Sequence, residues 1–232
     1  VLVGTEATKN NFKGFGALRT GYLFEDPSFY LLSNGSGVPV IQYGNSNSSS
    51  IFSLLATANW SYGGKYFATA TVRKDDTSRF ASATADAIFP SVSGAWLVSS
   101  EDWFDSSVFD TLKIRASYGE LGNQQIGGSN LDVNISNLSE GSGFYAFSGS
   151  GGATAGAVIA SKGNPLLTWE TMTSTNFAID AGFLDNKLTA TIDVFSNETT
   201  GLVAQDTQKI STTAIDAAAP YTNLGSMKST GF

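Results

Sequence analysis

Three groups of carboxylates are the first candidates for chemistry in this sequence. Asp75-Asp76 invite comparison with a calcium loop, and Glu101-Asp102 and the pair Asp180/Asp193 with a glycosidase acid pair. A calcium loop needs acidic residues at alternate positions closed by a late Glu, a spacing that Asp75-Asp76 lack. The expectation there is a solvated turn whose carboxylates face Lys74 and Arg79. Glycoside hydrolysis needs two carboxyl groups held at a set separation, and nothing in the spacing argues for one. Gly149-Ser150-Gly151-Gly152-Ala153 is glycine-rich, but no Lys-Ser/Thr follows it and no helical pattern lies behind. A flexible loop is expected rather than a phosphate cradle. The chain has neither histidine nor cysteine. This removes the commonest general base, the Ser-His-Asp and Cys-His arrangements, thiolate metal sites and disulfides. No catalytic residue, metal or cofactor is therefore expected, and the protein is expected not to be an enzyme.

The elements that would carry these residues are strands. Phe52, Leu54, Ala56, Ala58, Trp60 and Tyr62 alternate with Ser53, Leu55, Thr57, Asn59 and Ser61. Tyr66, Ala68, Ala70 and Val72 alternate with Phe67, Thr69, Thr71 and Arg73. The same period of two runs through 112–119, 176–183 and 187–194, with weaker strands at 1–9, 87–98 and 219–226. Successive side chains of a strand point to opposite faces, so each segment has one apolar and one polar face. Strands of this length approach the ~9–11 residues that cross a bilayer at a tilt.

The connections alternate in length. Long stretches are expected at 10–50, 120–170 and 198–218, a medium one at 74–86 and a shorter link at 99–108. Tight turns are expected at Tyr62-Gly63-Gly64-Lys65, at Phe183-Leu184-Asp185-Asn186 and near Ser226–Ser229. Outer-membrane barrels show this pattern, with long loops outside the cell and short periplasmic turns. Trp60, Tyr62, Tyr66 and Phe183 would form an aromatic girdle at the short-turn end, with Trp169 and Phe195 toward the other.

Composition agrees. Charged residues make up 14% of the 232, against about 25% in soluble domains. The net charge of −7 leaves no basic stripe for phosphates, so no nucleic-acid partner is expected. No apolar run reaches the ~20 residues of a membrane-spanning helix, and Val1–Glu6 does not open like a signal peptide.

Five segments, in order, resemble the SusC/RagA family of TonB-dependent transporters. They are Gly64–Phe80, Phe89-Pro90-Ser91-Val92-Ser93 with Trp96, and Leu112–Gly119 with Gly122-Asn123-Gln124. Asn164-Pro165 with Trp169-Glu170-Thr171, and Asn223-Leu224-Gly225-Ser226-Met227, complete the set. Asp76 stands where the family has Gly, Gly94-Ala95 reverses the usual order, and the loop before Phe89 departs from the pattern. The resemblance implies an all-β fold, an antiparallel transmembrane β-barrel segment. Roughly eight strands of a barrel of about 22 would be present, with the plug domain absent and residues 1–232 part of a single barrel domain. The family pattern continues past Gly231-Phe232, so a longer chain is expected.

By the same resemblance the function is TonB-dependent import of a nutrient, glycan or peptide fragments, across the outer membrane of a Bacteroidetes-like cell. The implied partners are a SusD-like surface lipoprotein, TonB acting through the plug, an oligosaccharide or peptide substrate, and the lipid bilayer. Arg73, Lys113, Arg115, Lys187 and Asp193 would line the lumen, and loops 10–50 and 120–170 would form the mouth and touch the lid. Phe144, Tyr145 and Phe147 are weak candidates for substrate contact, and the substrate-binding set stays unknown. Two alternatives remain open from the residues alone. One is a small self-closed structural or adhesive barrel, since eight strands suffice for closure. The other is a soluble β-sandwich binding module.

Overall fold

In the computed structural model, residues 1–125, 135–145, 154–205 and 218–232 are described. The strands are β1 (Leu2–Leu18), β2 (Val40–Tyr62), β3 (Tyr66–Thr77), β4 (Asp86–Leu97), β5 (Thr111–Asn123) and β6 (Asn137–Tyr145). They continue with β7 (Thr154–Ser161), β8 (Glu170–Phe183), β9 (Leu188–Thr200), β10 (Val203–Gln205), β11 (Tyr221–Asn223) and β12 (Ser226–Gly231). Eight of them form one sheet in the order β1-β2-β3-β4-β5-β8-β9-β12. Every pairing from β2 through to β12 is antiparallel. β6–β7 and β10–β11 make two separate ribbons. The chain divides into two compact units, residues 1–7 with 51–232, and residues 8–50.

In the larger unit, register carries each strand's alternation onto its neighbours. Trp60 lies opposite Ala68, Ala68 opposite Gly94, Gly94 opposite Ala116, and Ala116 opposite Phe177, which faces Val194. Two residues along, Ala58, Ala70, Val92 and Tyr118 form the next row of the same face. The intervening residues make the opposite rows. Asn59, Thr69, Ser93, Ser117 and Asn176 form one, and Thr57, Thr71, Ser91, Gly119, Ser174, Asn197 and Ser229 the next. A slip of one residue in any pair would mix the two sets, so the pattern itself fixes the register.

At one end the strands of this unit are joined by two tight turns, β2–β3 and β8–β9, and by the longer 98–110 link. Gly63 and Gly64 take φ of 59° and 67° between β2 and β3. An L side chain rarely adopts that conformation, and glycine has no Cβ to oppose it. The β8–β9 turn uses three non-glycine residues, Leu184, Asp185 and Asn186, at φ of 57°, 55° and 57°. Left-handed backbone costs such residues roughly 1–2 kcal/mol each, and neighbours hold it here. The Asn186 N–H donates to the Asp110 carboxylate at 3.1 Å, and Thr111 Oγ1 donates to Asn186 Oδ1 at 2.9 Å. Gly182 leaves space for the Asn186 side chain to fold back, since a Cβ there would lie 2.1 Å from Asn186 Oδ1.

At the opposite end are the connections 78–85, 124–169 and 201–225, and the buried apolar cluster gathers there; the 98–110 link, at the tight-turn end, is longer than 78–85. Phe80, Phe89, Leu167 and Trp169 pack together, joined by Ile51, Ala87, Val203 and Tyr221. Phe80 and Phe89 meet the Trp169 ring edge-on at 5.7 and 5.5 Å. The Trp169 indole donates to the Ala85 carbonyl at 3.1 Å, and Thr84 Oγ1 donates to the Leu167 carbonyl at 2.8 Å. Asn223 ties three segments, accepting from the Thr168 N–H and donating to the carbonyls of Thr168 and Gly201.

The smaller unit is organised by Arg19, whose guanidinium donates to the carbonyls of Gly37 and Leu32 at 3.0 and 2.8 Å. Asp26 caps a short 3-10 turn at Pro27–Phe29, and Tyr22–Tyr30 and Phe24–Phe29 form ring pairs.

Several boundaries differ from expectation. Strand structure runs through much of 10–50, leaving 19–39 between β1 and β2. The stretch 120–170 holds the β6–β7 hairpin. Ser226–Ser229 begins β12 instead of turning, and 219–226 contains only the short β11. At 10–50, 120–170 and 226–229 backbone pairing continues where polar, Ser-rich composition suggested a loop or turn, whereas at 219–226 pairing is shorter than expected.

Candidate functional site

Across the middle of the larger unit's sheet the charged side chains lie on the polar face, while on the other face Lys74, Asp76, Asp86, Glu120, Glu198 and Lys228 fall toward the long-loop end. Near the long-loop end, Arg73 spans three strands. Its Nε donates to Asp75 at 2.7 Å, and Nη2 donates to Ser53 Oγ at 2.9 Å and pairs with Glu6 at 3.2 Å. Asp75 and Ser53 are buried beneath it. Nearer the short-turn end, Arg115 pairs with Asp180 through Nε at 2.7 Å and Nη2 at 3.0 Å, and Thr191 donates to Asp180 at 3.0 Å. Asn176 donates to Asp193 at 2.6 Å, and Ser174 to Asn197 at 2.7 Å. Between the two ion-pair groups lie the rows of Ser, Thr, Asn and Gly described above.

One open cavity of about 690 Å³ lies on this face at the long-loop end. Its origin can be traced to one residue. The β4–β5 ladder runs from Leu97↔Lys113 to Ser91↔Gly119 and stops there. The next residue of β4 is Pro90, which has no N–H to continue a ladder. Beyond it β5 stays paired with β8 as far as Asn123↔Glu170. The two strands therefore part, and the gap is walled by Phe89 and Ser91 on one side and Gly119–Gln125 on the other. Thr71, Arg73, Asp75, Ser174 and Trp169 complete the lining. Gly122 lets the Phe89 ring lie against the β5 backbone, because a Cβ there would fall 2.0 Å from the ring. Thr77 Oγ1 donates to Gln124 Oε1, fixing the cavity's rim.

At the short-turn end, Glu101 accepts from Tyr66 Oη at 2.5 Å, from the Trp96 indole at 3.0 Å and from Lys65 at 3.2 Å. These bonds, Tyr66 first, hold its carboxyl below the usual carboxylate range. Lys65 is raised in turn, chiefly by its bond to Glu101. Trp60, Tyr62 and Trp103 remain exposed around this node, and Tyr66 stacks on Trp96 at 6.3 Å.

The expected site residues fall as follows. Arg73, Arg115 and Asp193 meet partners on the polar face, and Lys113 lies opposite Asp180 in register. Lys187 lies in the β8–β9 turn, 3.6 Å from Asp185, rather than on a strand. Phe144 and Tyr145 fall in β6, while Phe147 and the glycine-rich segment 149–153 lie outside the described residues.

Asp75-Asp76 form no solvated turn. Both are within β3, so they point to opposite faces, and Asp75 is buried against Arg73 while Lys74 pairs with Asp86 at 3.2 Å. Trp169 precedes β8 and turns into the apolar cluster, and Phe195 lies opposite Asn176 on the polar face. Neither joins an aromatic girdle. The cavity was not anticipated, although Pro90 within an alternating strand was a visible signal that a ladder must end.

The family model described as "TonB dependent receptor-like, beta-barrel" matches residues 3–232. TonB-dependent receptor P3 of Formosa agariphila is 32% identical over 203 residues, covering 87% of this chain and 18% of that protein. TonB-dependent receptor SusC of Bacteroides thetaiotaomicron is 29% identical over 183 residues, covering 78% of this chain and 18% of SusC. The chain thus spans less than a fifth of these relatives' length. Among solved structures, the RagAB peptide transporter superposes with a TM-score of 0.77 at 26% identity, covering 99% of this chain and 24% of that one. These relatives are receptors and transporters, not enzymes. The chain belongs to the TonB-dependent receptor β-barrel family and is of its SusC/RagA kind.

Proposed function

We propose that the complete protein imports a nutrient across the outer membrane in a TonB-dependent manner, and that residues 1–232 form wall and outer loops of a single β-barrel domain. The observation that carries this reading is the division of one in-register sheet into an apolar and a polar face. Lipid accepts the apolar rows without cost, while unpaired charge there is expensive. The polar rows and the Arg73 and Arg115 clusters then face the lumen. A SusD-like lipoprotein would close the mouth from outside, and TonB would act through a plug. The cargo is an oligosaccharide or a peptide fragment, the latter being what RagAB is named for.

Fractionation of the source cell together with an uptake assay tests this. Expected are a polypeptide several times the 24.3 kDa of this chain in the outer-membrane fraction, and nutrient uptake lost on gene deletion or on collapse of the proton gradient. Recovery as a soluble protein, or uptake indifferent to both treatments, would overturn the reading.

A further inference from the structure

We infer that Lys65, Asp102 and Trp103, at the short-turn end, hold the headgroup of an amine-bearing zwitterionic phospholipid of the phosphatidylethanolamine class. This rests on the reading above that the apolar face meets lipid, and is independent of what the protein imports. Position is the first support. Tyr62, Tyr66, Trp96, Ile114, Ile179 and Ile192 pair across six strands as one row of the apolar face. On β2 and β3 it is the last row before the Gly63-Gly64 turn, and amphipathic rings at such a place sit at headgroup depth. Further from the turn, Ala68, Gly94 and Ala116 leave a shallow channel between Trp60 and Phe177. These two lie four strand spacings apart, about 19 Å at ~4.8 Å each, which leaves room for acyl chains.

The chemistry selects the headgroup. Glu101 spends its carboxylate on Tyr66, Trp96 and Lys65. Asp102 does not. Among the described residues its carboxylate meets only Lys65, at 3.3 Å, and its side chain is fully exposed. An ammonium has three donors. Two of those on Lys65 go to Glu101 and Asp102, which leaves one for a phosphate oxygen. Trp103, next in the chain, is exposed and packs on Trp96 at 6.2 Å. Its ring face attracts a cation. One lysine against two carboxylates leaves one negative charge in surplus. A headgroup with both phosphate and ammonium suits that balance, the phosphate on Lys65 and the ammonium between Asp102 and Trp103. A net-anionic headgroup would add to the surplus, and a trimethylated one has no N–H to donate to Asp102.

The test uses the complete transporter, purified in detergent, stripped of lipid and titrated with lipids of identical acyl chains. The probes are phosphatidylethanolamine, phosphatidylcholine and phosphatidylglycerol, and native mass spectrometry reads the tightest-bound lipid. Asp102→Asn and Trp103→Ala are compared with wild type and with Asp185→Asn, which alters an exposed carboxylate at the other tight turn. Resistance to SDS at room temperature confirms that each is folded. Wild type and Asp185→Asn should bind one phosphatidylethanolamine at least fivefold more tightly than either other lipid. Asp102→Asn should lose that preference, and Trp103→Ala should weaken the binding several-fold.

Preference for phosphatidylglycerol, no preference, a preference kept by folded Asp102→Asn, or one lost equally in Asp185→Asn would overturn the inference. Any of these would leave the import reading standing. Absence of gradient-dependent uptake by an outer-membrane protein would remove the import reading and leave this site untouched.

Discussion

The two ends of the sheet are secured by different physics. At the short-turn end the backbone does the work. Gly63-Gly64 and the left-handed run Leu184–Asn186 reverse the chain in a few residues, and Asp110, Thr111 and Glu101 hold the result through hydrogen bonds. At the long-loop end burial does it, with Phe80, Phe89, Leu167 and Trp169 forming the apolar cluster. The difference follows from the faces between. A sheet given to lipid on one side and water on the other has no conventional core, so apolar burial collects where loops fold over the wall.

The sharpest way to break the comparison is to empty the cluster. Trp169→Ala should cost about 3–5 kcal/mol, in the range for large aromatic-to-alanine changes, and should release the long loops to limited proteolysis while the strands stay protected. Uniform digestion would show that the cluster is not a separate reservoir of stability.

The faces come next. Ala70→Arg on the apolar face should destabilise by about 2–4 kcal/mol in a bilayer. Thr71→Arg, one residue on, should be much milder. Urea titrations in vesicles would read the difference, and equal effects would refute the assignment of faces.

At the other end, Asn186→Ala should cost about 1–2 kcal/mol by removing the side chain that steadies a left-handed turn. Asn186→Gly should restore part of it.

The smallest effect concerns Glu101. Its carboxyl is held lower in the folded protein than in the unfolded chain. The linked stability is therefore present above the ordinary Glu range and is lost as pH falls through the lowered folded value. Trp fluorescence from this end should shift over that acidic window in wild type, and Glu101→Gln should flatten the change.

The strands and their faces were legible because period-two alternation is a direct image of the pleat. Phe52 to Tyr62 and Leu112 to Tyr118 needed only their residue types to be oriented. What was not legible depended on partners far away in sequence. Trp169 reads as a girdle residue until Phe80, Phe89 and the Ala85 carbonyl are seen around it. Asp75-Asp76 read as solvent-facing until strand pairing carries β3 to Thr77 and puts Asp75 under Arg73. Polar strands at 8–18 and 40–50 hid for a related reason, since alternation fades where neither face is strongly apolar.

The direct pairing of β5 with β8 has one more consequence. The chain leaves the wall after Asn123 and rejoins it at Glu170 in unbroken register, from Asn123↔Glu170 to Thr111↔Gly182. The wall is thus continuous where the gene is not. Whatever lies between those two points can lengthen, shorten or be exchanged over generations without disturbing a rung of the ladder. The same seam offers the engineer a port for grafting an epitope or a binding loop.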